Sequence, residues 1–230
     1  MIPDPVYPVY FDTNVMSGRK IELLPSNIDN SFSPMPSDLK TQGEPCVIYL
    51  CSPNNPTGAV YDADQLKTWV DYALETGSFI IFDSAYEAFI RHDYPHSIFA
   101  IEGARYCAAE ICSLSKTAGF TGTRCAYSIF PAELTAGDMN LQQMWARRQA
   151  TKFNGVSYPI QCAAAAALSA EGMTQCQKNI DYYLENARLI AELFKSKNIK
   201  FTGGSDSPYI WLQCPNNMGS WEFFDYLLEK

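Results

Sequence analysis

Residues 46–58 read CVIYLCSPNNPTG, and the change of character at Ser52 decides the architecture. Cys46–Cys51 is a short apolar run carrying Val, Ile and Tyr, which suits a buried strand. Two prolines and a glycine then end the strand in a rigid turn. A helix follows: Asp62 with Gln65 three residues on forms a capping box, Leu66, Trp69, Val70, Ala73 and Leu74 recur at helical spacing, and Gly77 stops it. The apolar run Ser78–Phe82, ending at Asp83, supplies the next strand. Strand, helix and strand in that order make the unit of a parallel α/β sheet.

The pattern extends outward from there. Tyr106–Cys112 reads as a third strand that delivers Ser113, Ser115 and Lys116, and Arg124–Phe130, stopped by Pro131, reads as a fourth. Beyond it the chain turns helical over Leu141–Thr151 and the alanine-rich Gln161–Ala170. A long helix comes next, with Ile180, Tyr183, Leu184, Ala187, Ile190, Ala191 and Phe194 as an apolar stripe expected to be core. Ile199–Cys214 reads as two strands around Gly203-Gly204, and Ser220–Glu229 as a last amphipathic helix. The expected fold is therefore α/β, a mostly parallel sheet flanked by helices. Residues 1–178 form a large domain, and 179–230 begin a smaller α+β domain, with the boundary near Asn179.

Bulk properties exclude several classes. The 230 residues, 47% of them hydrophobic, suffice for a substantial core. Seventeen Lys and Arg against 25 Asp and Glu give a formal charge of −8, which repels polyanions and argues against a nucleic-acid partner. No apolar run approaches the roughly 20 residues of a membrane helix, and the opening Met-Ile-Pro-Asp-Pro is no secretory signal. The eight cysteines form no C-x-x-C pair and mostly sit in apolar runs, so they are expected to be reduced, in a cytoplasmic protein. His92 and His96 flank Pro95, which breaks the helical geometry of a metal pair, so they are expected as exposed loop residues.

The chemistry gathers after the strands: Asn55 after the first, Asp83 and Tyr86 after the second, Ser113, Ser115 and Lys116 after the third. In open α/β sheets ligands bind beyond the carboxyl ends of strands, so these residues should converge. Alone, each is ordinary: Asn55 is a common turn former, Asp83 suits a helix cap, and Lys116 suits an exposed surface. Together they match what pyridoxal 5′-phosphate (PLP) demands. Its aldehyde needs a lysine amine, supplied by Lys116, held as a Schiff base. Its pyridine nitrogen needs a carboxylate to stay protonated, supplied by Asp83. Tyr86 and Asn55 suit its phenolic oxygen, and Arg124 with Ser113 and Ser115 suits its phosphate.

Three motifs carry a resemblance: Ser52–Gly58 (SPNNPTG), Asp83–Tyr86 (DSAY) and Ser113–Arg124 (SLSKTAGFTGTR). Together they are similar to the aspartate-aminotransferase-like superfamily of fold-type I PLP enzymes. Within it, Asp4–Tyr10 (DPVYPVY), Ala118–Arg124 (AGFTGTR) and Lys152–Ser157 (KFNGVS) most resemble the LL-diaminopimelate aminotransferase family. The resemblance implies amino-acid and 2-oxo-acid substrates: tetrahydrodipicolinate and glutamate exchanged with LL-diaminopimelate and 2-oxoglutarate, in lysine biosynthesis. It implies a homodimer, in the cytoplasm or, for a plant or algal source, a plastid. It makes Tyr7 the aromatic that stacks on the cofactor ring and Asn154 the asparagine near cofactor and substrate; Tyr7, Asn55 and Asn154 would also touch substrate.

The chain departs from the family in places. Ala126 stands where the family has glycine. The family's N-terminal region before Tyr7, which includes a Ser-Lys segment at the phosphate, and its C-terminal substrate-clamping arginine have no counterpart here. The expectation for this chain by itself is weak PLP binding with negligible turnover. Two further readings share the cofactor motifs: another PLP chemistry such as carbon–sulfur elimination, and a fragment that binds PLP without turnover.

Overall fold

The computed structural model describes residues 1–39 and 43–230. The chain opens with β1 (Ile2–Asp4), α1 (Val9–Met16) and β2 (Leu23–Pro25), which pairs parallel with β1. Next come β3 (Val47–Cys51), α2 (Ala63–Thr76), β4 (Phe79–Asp83) and β5 (Ala108–Ser113). The short α3 (Leu114–Thr117) then leads towards β6 (Ala126–Ile129). Strands β3, β4, β5 and β6 form one sheet in that order. The first three are parallel, whereas β6 runs antiparallel to β5. The register sets Cys51 beside Asp83, and Asp83 beside Ile111. Three chain segments therefore leave the sheet over the same edge, as the strand-end rule requires.

Local chemistry explains the pieces. At the start of α2 the Asp62 carboxylate accepts from the Gln65 amide at 2.8 Å, and the Gln65 side chain accepts from the Asp62 amide at 2.9 Å. Gly77, at φ 69°, ends the helix in the left-handed region. The helix buries Leu66, Trp69, Val70 and Ala73 against Ile48, Leu50, Ile80 and Phe82 of β3 and β4. Fully burying each large side chain in this layer is worth about 1.5–3 kcal/mol. Strand β5 starts later than its apolar run suggests, because Ala104–Tyr106 takes a single 3-10 turn that leaves Tyr106 exposed. The strand includes buried Glu110, which accepts from the Ser97 hydroxyl at 2.6 Å, the Ile98 amide at 3.1 Å and the Ser84 hydroxyl at 3.0 Å.

A small hairpin, β7 (Thr135–Ala136) with β8 (Met139–Asn140), precedes α4 (Leu141–Lys152), α5 (Tyr158–Ala167) and α6 (Ala170–Ser196). The Ser169 hydroxyl accepts from the Gly172 amide at 3.1 Å and starts α6. Helix α6 runs unbroken through Asn179, so the expected division of the chain falls inside a helix. Its stripe is narrower than expected. Ile180, Ala187 and Ala191 are buried, but Tyr183 and Ile190 are 55% and 46% exposed. The reason is geometric: α6 packs into the Tyr86 and Phe89 cluster through Ile180 and Leu184, while Tyr183 only flanks the Phe89 ring, 6.4 Å between centres. Antiparallel β9 (Phe201–Gly203) and β10 (Ile210–Leu212) follow, then α7 (Ser220–Glu229).

That last hairpin sits on the turn after β3. A methyl group added at Gly58 would lie 2.7 Å from the Gly203 Cα and 2.9 Å from the Tyr209 carbonyl oxygen. Both glycines also have positive φ, so only glycine allows the backbones to approach this closely. Buried Asp206 adds a clamp, accepting from the backbone amides of Arg91 at 2.8 Å and His92 at 3.0 Å. The exposed His92 ring also meets Asp206, at 2.9 Å, and the exposed His96 ring meets Glu87 at 2.8 Å. Among the described residues no group of three His, Cys, Asp or Glu is placed to hold a metal, and no helix is long and apolar enough to cross a membrane. All eight cysteines are free thiols.

Candidate functional site

The segments leaving β4 and β5 build one side of a cavity of about 610 Å³, and α6 and the β9–β10 hairpin build the other. Lys116 lies on α3, immediately past β5. Its ammonium stands 5.6 Å from the centre of the Tyr86 ring. Ser115, Thr117 and Thr121 line the same space, as do Asn179, Tyr183 and Tyr209 from the opposite wall. The volume falls within the ordinary range of small-ligand pockets, roughly 300–1,000 Å³.

Asp83, the last residue of β4, is held from two sides. One carboxylate oxygen accepts from the Ala85 amide at 2.9 Å, and the other accepts a short hydrogen bond from the Tyr10 hydroxyl. Burial pushes the Asp83 carboxyl up, while Tyr10, the Ala85 amide and the Lys116 charge act to pull it down; the balance stays raised. A carboxylate in this position is short of positive charge. Burial likewise raises the Tyr86 phenol, with its hydrogen bond to Tyr209 adding to the rise.

The other expected residues divide by location. Ser113 caps α3, its hydroxyl accepting from the Ser115 amide at 3.2 Å, and both serines are half-buried. Arg124 is exposed in the turn before β6, and its guanidinium donates to the Thr121 carbonyl at 2.8 Å. Its φ of 60° is unusual for a bulky residue and marks a backbone held by its surroundings. Asn55 is half-buried in the turn after β3, and Tyr7 is 44% exposed, edge-on to Tyr10 at 6.1 Å. The Tyr7 phenol contributes to the raised Tyr209, after burial and Cys51, which brings Tyr7 to the same neighbourhood. Asn154 stands apart. It is exposed, follows α4 with φ 61°, and its amide donates to the Gln149 carbonyl at 2.8 Å, which is a helix-stopping role. Of the nine expected residues, Tyr86, Ser115 and Lys116 line the cavity itself, and Asp83 adjoins it.

Two partners escaped the sequence. Tyr10 grips Asp83, stacks on Tyr49 at 5.2 Å and is three residues from Tyr7 on the same short helical approach. Tyr209 shares a short hydroxyl–hydroxyl hydrogen bond with Tyr86. The only hint of Tyr10 was its place in the quoted Asp4–Tyr10 motif. Nothing near Tyr209 announced its partner.

A profile described as "Aminotransferase class I and II" matches residues 1–230. The chain belongs to the class I and II aminotransferases. That family and its fold depend on PLP in general. This aminotransferase chain is 50% identical over its whole length to LL-diaminopimelate aminotransferase of Methanosphaera stadtmanae, and 50% identical to that of Lawsonia intracellularis. It spans 59% of the length of each. Among solved structures it is similar to the L,L-diaminopimelate aminotransferase of Chlamydomonas reinhardtii, with a TM-score of 0.92 and 38% identity, covering 99% of this chain and 58% of that one.

The aminotransferase cavity suits PLP on its own chemistry. The Thr117 hydroxyl, beside Lys116, is buried without a hydrogen-bond partner among the described residues, and such groups call for one. Asp83 makes no ion pair among the described residues, and its carboxyl stays raised despite the Lys116 charge, so a protonated pyridine nitrogen would suit it. Lys116 supplies a primary amine to the cavity lining.

Proposed function

We propose that the protein is a PLP-dependent aminotransferase that interconverts tetrahydrodipicolinate plus glutamate with LL-diaminopimelate plus 2-oxoglutarate, acting as a cytoplasmic homodimer. The observation that carries the reading is Lys116 lining the strand-end cavity, its ammonium 5.6 Å from the Tyr86 ring and its charge felt by Asp83. The choice of substrate is supported by the 50% identity to relatives named for it.

Lys116 would hold the cofactor's aldehyde carbon and Asp83 its ring nitrogen. Tyr86 and Asn55 would hold its phenolic oxygen, Arg124 with Ser113 and Ser115 its phosphate, and Tyr7 the face of its ring. Asn154 would act near the substrate. When bound, PLP supplies an electron sink for the negative charge left on the substrate's α-carbon. Lys116 Nζ, freed once the substrate amine has taken its place on the aldehyde carbon, would be the base that accepts the proton from the α-carbon. Asp83 keeps a proton at the ring nitrogen by offering it a buried negative charge, and Tyr10 holds the carboxylate in place. Tyr86 donates its hydroxyl proton towards the anionic oxygen. Residues 1–178 would serve as the large cofactor domain, with α6 leading into residues 179–230 as the start of the smaller one.

The test is amine transfer by the complete protein: LL-diaminopimelate and 2-oxoglutarate supplied together should yield glutamate. No glutamate here, with pyruvate, ammonia and a thiol released from an S-substituted cysteine, would point instead to an elimination chemistry on the same cofactor frame.

A further inference from the structure

Tyr86 is expected to donate its hydroxyl proton into the cavity, yet its oxygen already shares a hydrogen bond with the Tyr209 hydroxyl. A phenol has a single proton to donate and can also accept. If Tyr86 gives its proton to Tyr209, nothing remains for the cavity. If Tyr209 is the donor, the Tyr86 proton is free to point at a ligand. An anionic acceptor in the cavity selects the second arrangement, because a hydroxyl that accepts one hydrogen bond is polarised into a stronger donor of the next.

The position of Tyr209 is built rather than incidental. Its amide donates to the hydroxyl of wholly buried Ser207 at 3.0 Å. Its carbonyl oxygen faces Gly58 and Gly203, whose lack of a side chain allows the contact. Its ring meets Tyr86 edge to face, 5.0 Å between centres and 70° between planes. Its side chain lines the same cavity as Lys116.

We propose that Tyr209 is a positioning residue of this site: it donates its hydroxyl proton to the Tyr86 oxygen and so commits the Tyr86 proton to the anionic phenolic oxygen of bound PLP. The inference rests on the PLP reading above and extends it to a residue of the β9–β10 hairpin. The anionic oxygen competes for a proton with the nitrogen that links Lys116 to the cofactor. A strong donor at the oxygen lowers the proton affinity of the pair, and a weakened donor raises it.

The experiment uses the PLP-loaded protein in four forms: wild type, Tyr209→Phe, Tyr86→Phe and the double variant. The readouts are the pH midpoint of the cofactor's visible absorbance change and PLP retention on dialysis. Phenylalanine keeps the ring contact, so the fold is preserved and only the hydroxyl is lost. Tyr209→Phe should move the midpoint to higher pH and weaken PLP retention roughly 2- to 10-fold, the range of one hydrogen bond. Tyr86→Phe should move the midpoint further, and the double variant should match Tyr86→Phe alone. An unchanged midpoint in Tyr209→Phe, or the same shift added again on top of Tyr86→Phe, would overturn the proposal while leaving the cofactor assignment intact. A wild-type protein with no visible band would overturn the cofactor reading itself, and this inference with it.

Discussion

Asp83 is prepared for a cationic partner before any ligand arrives. The Ala85 amide and the Tyr10 hydroxyl each occupy one of its oxygens, and both bonds fix the carboxylate's plane. Asp83→Asn keeps that shape and removes the charge. It should lower turnover of the complete enzyme on the order of 100-fold or more while PLP still binds, as expected for a charge that acts on the transition state; steady-state kinetics beside PLP titration checks it, and near-normal turnover would remove Asp83 from the site. Arg124 makes a different kind of contact. Lysine keeps its charge but not the planar fork that matches a phosphate. Arg124→Lys should weaken PLP binding roughly 10- to 100-fold by equilibrium dialysis, the worth of a hydrogen bond to a charged group. An unchanged affinity would remove Arg124 from the phosphate site. At this scale the strand-end residues were legible because strand, turn and polar residue follow one another directly in the chain. Tyr10 and Tyr209 were not, since their partners lie 73 and 123 residues away. No local pattern encodes such a pairing.

Among the elements, the β9–β10 hairpin carries the cavity's far wall and depends on buried Asp206 for its placement. Burial acts to raise that carboxyl, but the amides of Arg91 and His92, the His92 ring and Ser205 outweigh it and hold the group below its ordinary value. A lowered carboxylate contributes stability above its unfolded pKa of 3.8 and loses it as pH falls through the folded value. Asp206→Asn should therefore lower the melting temperature at neutral pH, and the difference from wild type should shrink in acid. A gap that stayed constant across that range would mean the charge is not what Asp206 contributes. Helix α2 was readable to its caps, because the Asp62–Gln65 pair and Gly77 are short-range signals. The direction of β6 was not, for parallel and antiparallel strands share the same period of two. Nor was the exposure of Tyr183 and Ile190 on α6, since a helical stripe does not say how wide a surface its neighbours cover.

For the whole molecule, pH adds a separate test. Glu110 is 4% exposed, and burial raises its carboxyl despite the hydrogen bonds from Ser97, Ser84 and Ile98, as it raises Asp83. A folded state that holds protons more tightly than the unfolded one loses stability as pH rises from the ordinary value of 4.5 towards the raised one. Glu110→Gln has no proton to lose, and the two serine hydroxyls can turn to suit its amide. The variant's melting temperature should thus fall less steeply than wild type's above pH 4.5, and parallel curves would contradict the assignment. The account as a whole rests on one lysine. Incubation of the protein with PLP, reduction with borohydride and peptide mapping by mass spectrometry asks directly which amine carries the cofactor. The account predicts the pyridoxyl group on Lys116, with the visible band and the label both lost in Lys116→Ala; label on Lys67 or Lys152 instead, or retained in the variant, would contradict it.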